Sequence, residues 1–546
     1  MSCSPKPWRN LEDLYHAVLE RLLGSRPRAV QPAGQTEVKG LGLWTIIAFT
    51  IVLLAGFVVL DQIAPTGKRF IKIRGIDTVS YFATAHSVLF DHDFNLNNEY
   101  QRMPPDNRFW THNQPATGLP GNVWGLGYSL LMMPLLMLGT GVDALAGNPA
   151  DGYSRWAVFF YCIGNPLITG SGMVTLFILM RGVARFWKIM PEDHQSAIAL
   201  FVVFVIFFGT NVGFYSIAMM SHASTFLFAS LFLVVWWRYR ESEDGWGWLL
   251  MGLIGGFLSI CRWQDVLYLA GPLLYGLFGG FGGDVLKRGL AWWRMRLLYA
   301  AGAGVCWIPQ VMEWRAIYGK LLTIPQGGGF MSLPPLHVLQ VLLSTRTGWF
   351  IWTPITMLGL AGLFLGTFRA TRIYLPWIIV LALEIVVVGS VSTWHGDDSF
   401  GSRYLLSSTP LIGFGIITLY SVSGVWLRRG LTATCLACCC FTILFAIQWG
   451  LDLVPKYTRL TFSELVSDKL RLAQVRQRKA ATRQAQELLA KADADSAIRV
   501  LEGTLSLGED RDVDVLLEKA YRSAGNQKQA DAMGLRYRAF MGSRLY

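Results

Sequence analysis

Charge is scarce in this chain. Asp, Glu, Lys and Arg make up 15% of its 546 residues, against 53% hydrophobic residues, and so little charge cannot clothe a water-soluble enzyme of this size. Ten-residue segments of alternating apolar and polar character are missing, which excludes a membrane β-barrel. No short apolar core with a small-residue cleavage site precedes the first long apolar run, so Leu43 to Ile63 is expected to be a retained signal anchor. Cysteine is present but in the wrong company for metal or disulfide chemistry. Of eight cysteines, Cys435, Cys438, Cys439 and Cys440 sit in one apolar run with no His or carboxylate in it, where a thiol behaves as a small hydrophobe.

Long apolar runs are what the chain does contain. They begin near Leu43, Val123, Trp156, Ala197, His222, Trp248, Val266, Leu297, Trp349, Tyr374, Leu405 and Leu431, each near the length a bilayer requires. The expected fold class is therefore all-α: a polytopic helical membrane protein of about eleven or twelve spans over 43–452. The net charge of +12 does not point to nucleic acid, because the basic residues cluster in short loops, as the positive-inside rule produces. Arg181, Arg185 and Lys188, then Arg238 and Arg240, Lys287, Arg288, Arg294 and Arg296, Arg369 and Arg372, and Arg428 and Arg429 are expected on the cytoplasmic side. Counting loops leaves one inconsistency. Two full spans between residue 64 and Arg181 would put Arg181 outside, so one segment there is expected not to cross. The first candidate is Val123 to Leu138; the second is the run broken by Asn165-Pro166.

Two flanking regions differ in character. Residues 1–42 are a cytoplasmic lead in which Leu11, Leu14, Tyr15, Val18, Leu19, Leu22 and Leu23 share one helical face, as an interfacial helix would. Residues 453–546 form a charged, soluble helical tail. Ala520, Tyr521, Ala524, Gly525 and Ala530 resemble one tetratricopeptide-type repeat, a module that needs neighbours or a protein partner to bury its face.

Polar chemistry concentrates in the loops opposite the basic ones. The first external loop, 64–122, carries Asp77 at the start of an apolar stripe of Val79, Phe82, Ala83, Leu89 and Phe90, so residues 78–90 are expected to lie flat on the membrane. Asp77 reads as a helix N-cap or as a carboxylate that takes a proton from an acceptor hydroxyl. Asp91 and Asp93 have the DxD form that holds a divalent cation in many nucleotide-sugar transferases, with Glu99 close enough to join them; solvated loop charges are the alternative. His222, Arg262, Gln264, Asp265, His395, Asp397, Asp398 and Arg403 all fall at the external ends of different runs and are expected to converge with Asp77. "TWHGDDSFGSRYLL" at 393–406 ends in an arginine placed to bind a lipid-linked phosphate through its fork of donors.

Asp77, Tyr81, Phe82, Ser87, Asp91, Asp93, Asn98, Glu99 and Tyr100 follow a D…YY…S…D.D…NEY pattern. "SHASTF" at 221, "RWQD" at 262, "PQ" at 309, "PQGGGF" at 325, "TGWFIWTP" at 347 and "SFGSRY" at 399 come after it in order. Over roughly 43–450 this resembles bacterial polytopic proteins related to the GT-C glycosyltransferases. The resemblance implies a bacterial inner-membrane enzyme that takes a sugar from a polyprenyl-phosphate carrier and transfers it to a glycan or protein acceptor on the extracytoplasmic side. It implies Asp77 as general base; the growing charge on the leaving phosphate needs fixed cations, a role that suits Arg403, Arg262 or His222, and Tyr81, Gln264, His395 and Asp397 are expected to join them in binding substrate. Where such relatives usually carry an acidic pair, this chain has the single carboxylate of Ile76-Asp77-Thr78, which leaves Asp91 or Asp93 as contributors. No cofactor is implied with certainty beyond a possible divalent metal.

Two other functions compete with transfer. A non-catalytic scaffold or assembly subunit would explain the partner surfaces at both ends of the chain. A lipid-linked glycan transporter predicts ionisable residues deep inside the spans, and there the sequence offers little beyond Glu384.

Overall fold

A helix satisfies every backbone group internally, so apolar runs of bilayer length fold as helices. In the computed structural model a helix or helical turn begins close to each of the twelve expected positions. The structure describes residues 34–63, 71–105, 111–278 apart from 190, 290–450 apart from 332, 333, 335 and 398, residue 454, and 472–544 apart from 508–510. The expected lead helix at 10–24, the loop cations Lys287 and Arg288, and Asp398 lie outside the described residues.

The principal helices are α1 Gly34–Ile63, α2 Ile76–His86, α3 Asn97–Arg102, α4 Gly127–Leu145, α5 Arg155–Phe186, α6 Glu192–Gly209, α7 His222–Tyr239, α8 Gly245–Cys261, α9 Ala270–Phe278, α10 Leu290–Tyr318, α11 Ile355–Arg369, α12 Thr371–Ser390, α13 Thr409–Val422 and α14 Val425–Gly450. Among the described residues six segments are long and apolar enough to cross a membrane: Gly42–Ile63, α4, α5, α12, Arg403–Val422 and α14. This is the pattern of a multi-pass membrane protein, with fewer helices of full spanning character than the eleven or twelve expected. The rest are shorter or more polar, such as the 17-residue α8 and the 15-residue α11. Ile51, Val52, Val59 and Leu60 of α1 and Leu436, Leu444 and Ile447 of α14 are exposed, an apolar outer surface of the kind lipid covers.

Small residues set the helix crossings. A Cβ added at Gly362 of α11 or Gly415 of α13 would strike backbone of the opposite helix, as would one at Gly252 or Gly256 of α8 against α10. Backbones therefore touch at these crossings, the close approach that small-residue stripes allow. The thiols behave as fillers: among the described residues all cysteines are free, and Cys435 and Cys439 are buried in the central core.

The bundle has two chemically distinct ends. One carries the basic residues: Arg181 and Arg185 close α5, Arg238 and Arg240 close α7, Arg294 and Arg296 lie early in α10, Arg369 and Arg372 flank the α11–α12 junction, and Arg428 and Arg429 lie early in α14. Contacts tie them to one level. Trp187 donates to the Tyr374 hydroxyl at 2.6 Å, Arg372 pairs with Glu241 at 3.1 Å, and Gly42 of α1 packs on Phe177 of α5. The chain returns to the opposite end at Asp77, Met220, Arg262 and Arg403.

Helix α4 bears on the count of crossings between residue 64 and Arg181. Its length and composition would let it cross, yet it runs antiparallel beside the first part of α5. Gly127 packs on the end of α8, the Tyr128 hydroxyl donates to Asn165 at 2.7 Å, and Gly139 packs on Trp156 and Ala157. The 32-residue α5 spans about 48 Å, so it flanks α4 near its start and still reaches the basic end. α4 thus extends from the cavity level away from the basic end. Its Asp143 accepts from the backbone N–H groups of Trp156 and Ala157 at 3.3 and 2.8 Å, an anion on the helix α5 N-terminus. The Asn165-Pro166 pair does not break α5; the Asn165 amide donates instead to the Ala218 carbonyl.

Two further expectations are corrected. Helix α2 does not lie on a surface: Thr78 through His86 are all buried, with Phe82 packed against Tyr153 and Tyr161. Ser80, Thr84 and Ala85, outside the stripe, are small enough for a second wall to close over them. Gly75, not Asp77, occupies the N-cap, and no side chain caps the helix.

The described residues of the tail hold four α-helices, α15 Leu472–Ala490, α16 Ala494–Glu502, α17 Arg511–Ser523 and α18 Gln527–Arg544. They share a small core of Ala485, Ala497, Leu501, Val513, Leu517, Ala520, Tyr521 and Ala530. Asp493 caps α16 by accepting from Ser496 N–H at 3.1 Å.

Candidate functional site

At the end opposite the arginines a cavity of about 430 Å³ is lined by residues from several separate segments, including Asp77, Tyr81, Trp124, Arg262, Gln264, Gln326, Asp397 and Arg403. Asp77 stands in the first turn of α2 with its carboxylate held from two sides. Arg403 Nη1 donates to Oδ2 at 3.0 Å and Trp124 Nε1 donates to Oδ1 at 3.1 Å. The side chains of Arg403 and Asp77 are 13% and 17% exposed, so the pair is largely desolvated but reachable from the cavity.

Arg403 begins a 3₁₀ turn, Arg403–Ser408, that leads into α13. The Asn211 amide donates to the Ser402 carbonyl at 3.2 Å, and the Tyr215 hydroxyl meets Ser399 Oγ at 3.0 Å. Gly396 and Gly401 have φ of +67° and +63°, a left-handed backbone natural to glycine, and a Cβ at Gly396 would crowd the Arg403 side chain. The "GDDSFG" stretch is therefore the scaffold that aims Arg403.

A second guanidinium lines the same cavity. Arg262 and Arg403 lie over the Tyr404 ring at 5.0 and 5.6 Å from its centroid. Arg262 Nη1 is 3.3 Å from His222 Nδ1 and 3.5 Å from Ser221 Oγ, which in turn accepts from the Tyr81 hydroxyl at 2.9 Å. Burial pushes the Tyr81 phenol well up, so it acts as a neutral hydrogen-bond donor. Gln264 lines the cavity with its amide 3.4 Å from the Tyr404 carbonyl.

Not every expected residue reaches the cavity. His222 is 1% exposed, behind Arg262 and against the Tyr215 ring at 4.5 Å, so it supports the site without lining it. His395 accepts from the Asp397 backbone N–H at 3.0 Å in a turn of its own. Asp397 sits at the rim, at φ +53°, with its side chain 60% exposed. Asp91 and Asp93 are not among the cavity-lining residues, so neither supplies a second carboxylate to Asp77.

Asp91 and Asp93 also part from each other. The π-helical turn Ser87–Asp91 ends in left-handed His92, φ +59°, which sends the two carboxylates different ways. Asp93 is used locally, accepting from Ser87 Oγ at 2.8 Å and Asn95 N–H at 2.9 Å. Asp91 instead groups with His86 and Glu99, whose donor atoms lie within 4.8 Å of one another. The Asn98 amide lies 2.9 Å from Asp91 Oδ2, and this contact leads in holding that carboxyl below its ordinary range. Burial pushes the Glu99 carboxyl up, against the pull of His86.

Trp124 and Glu313 were not expected at the site. Glu313 in α10 accepts from the Asn122 amide at 2.5 Å, and Gln310 accepts from Leu126 N–H at 2.9 Å, pinning the 122–126 wall of the cavity. Asp265 and Glu384 are fully buried on Ser407 and Ser408. Glu384 is thus not nearly alone in the interior. A polar residue between two apolar ones, as in "PQVMEW", was the available signal for Glu313.

No described protein family matches the chain, and no curated protein is significantly similar to it.

Proposed function

We propose that the chain is a membrane glycosyltransferase that moves a sugar from a polyprenyl-phosphate carrier to an extracytoplasmic acceptor, with Asp77 as general base. The observation that carries this reading is the desolvated Asp77–Arg403 pair facing a cavity that also holds Arg262, at the end of the bundle opposite the basic loops. By the positive-inside rule that arrangement orients the cavity outward, as expected for an enzyme of the bacterial inner membrane. Two guanidiniums 5.0 and 5.6 Å above one tyrosine ring suit a phosphate whose negative charge grows as the sugar leaves.

The pairing also suggests an order of events. With no donor bound, Arg403 occupies the Oδ2 edge of the Asp77 carboxylate. A lipid phosphate that recruits Arg403 frees the carboxylate, which then accepts the acceptor's hydroxyl proton as the glycosidic bond forms. Trp124 holds Oδ1 and leaves the Oδ2 side to turn toward the substrate.

A scaffold remains the second reading, favoured by the tail's independent four-helix core. Mass spectrometry of cell-envelope glycans and glycoproteins from a deletion strain, with and without the wild-type gene, separates the two. A glycan that disappears and returns supports transfer. Unchanged glycans with a membrane complex that fails to assemble support the scaffold.

A further inference from the structure

We propose that His86, Asp91 and Glu99 bind one divalent transition-metal ion, of the Zn²⁺ or Mn²⁺ class, at the far end of α2 from Asp77. This site is independent of the transferase reading. Nine residues of helix, about 14 Å, separate Asp77 from His86, and none of the three proposed ligands lines the cavity.

The imidazole of His86 is held at both ring nitrogens. His86 Nε2 is 2.9 Å from the Asp151 carbonyl oxygen; a carbonyl only accepts, so this nitrogen carries a proton. Nδ1 faces Glu99 Oε1 at 2.9 Å, and the backbone carbonyl on the other ring nitrogen is the partner that ligating histidines commonly have.

Glu99 gives the second, independent observation. It is fully buried, and its Oε2 has no hydrogen-bond partner, a costly state for a carboxylate oxygen. Metal bonds of about 2.0–2.2 Å hold neighbouring ligand atoms roughly 3–3.5 Å apart, so donor atoms already within 4.8 Å need only a small contraction. The ring is also fixed in place. It packs on Phe90 at 4.6 Å and Tyr153 at 4.2 Å, and a Cβ at Gly152 would collide with both His86 and Phe90.

One imidazole and two carboxylates favour Zn²⁺ or Mn²⁺ over Ca²⁺, which takes six to eight oxygens. Asp91 is exposed, so water completes the coordination on that side. The ion ties the π-helical turn and α3 to the end of α2.

The test uses the full-length protein in detergent, with any affinity tag removed, stripped with chelator and then dialysed against Zn²⁺ or Mn²⁺. Elemental analysis should find one ion per chain, and thermal unfolding should shift upward with metal. Asp91→Asn, at an exposed position that leaves the core intact, should weaken binding by about tenfold or more, as should His86→Gln, while Asp93→Asn should leave it unchanged. Absence of retained metal and of any thermal shift would overturn the proposal and leave an imidazolium–carboxylate pair in its place. Retention unaffected by Asp91→Asn, or lost equally in Asp93→Asn, would overturn this ligand set.

Discussion

The two ends of the bundle treat arginine in opposite ways. At the basic end guanidiniums lie against aromatic rings: Arg240 over Trp237 at 4.0 Å, Arg296 over Trp248 at 4.4 Å, Arg372 over Tyr275 at 4.4 Å and Arg429 over Trp426 at 4.8 Å. Arg372 and Arg429 are exposed, stems on apolar surface with the charge near water, as snorkelling side chains arrange themselves. At the cavity end Arg403 is committed to a carboxylate and largely desolvated. The first arrangement anchors a helix terminus and tolerates change; the second stores electrostatic energy that a ligand can redirect.

Substitutions should therefore have unequal effects at the two ends. The largest is expected for Arg403→Ala, which strands the Asp77 carboxylate and should destabilise the protein by about 3 kcal/mol, read by thermal unfolding in detergent. Next comes Trp124→Phe, which keeps the ring and removes the Nε1 donor to Asp77. A charge-assisted hydrogen bond of this kind is worth roughly 1.5–3 kcal/mol, so a loss near the lower figure is expected, with transfer reduced more than stability.

A pH effect also belongs to the cavity end. Burial, with Arg346, Arg403 and His337 adding to it, pushes His395 down to about 3. An unfolded histidine protonates near 6.5, so below that value the unfolded chain binds a proton the native one refuses. Stability should fall as pH drops from about 6.5 toward 3, by at most about 1.4 kcal/mol per pH unit from this group, and His395→Gln should flatten that slope. The smallest effect is expected at the other end: Arg240→Ala should cost no more than about 1 kcal/mol. A loss comparable to that of Arg403→Ala would erase the contrast between the ends.

The helices were legible because an apolar run announces itself without reference to its neighbours. Asp77, Arg262, Gln264 and Arg403 were legible as well, since each is polar at the edge of such a run. What escaped is relational. The burial of α2 depends on α4 and α5 closing over it, and periodicity along 78–90 cannot register a second wall. Trp124 looks like any interfacial tryptophan until Asp77 is beside it. Asp91 and Asp93 part for a local reason: left-handed His92 separates them, and His86, at the start of the π-helical turn, groups with Asp91 and Glu99.

The most direct measurement of the central claim uses the deletion strain, complemented with wild type or with Asp77→Asn at matched levels of folded membrane protein. The asparagine keeps the size of the side chain and its contact with Trp124 but cannot take a proton. The glycan restored by wild type should stay missing with Asp77→Asn. Full restoration by the asparagine variant would contradict it, and would leave the Asp77–Arg403 pair as a structural clasp.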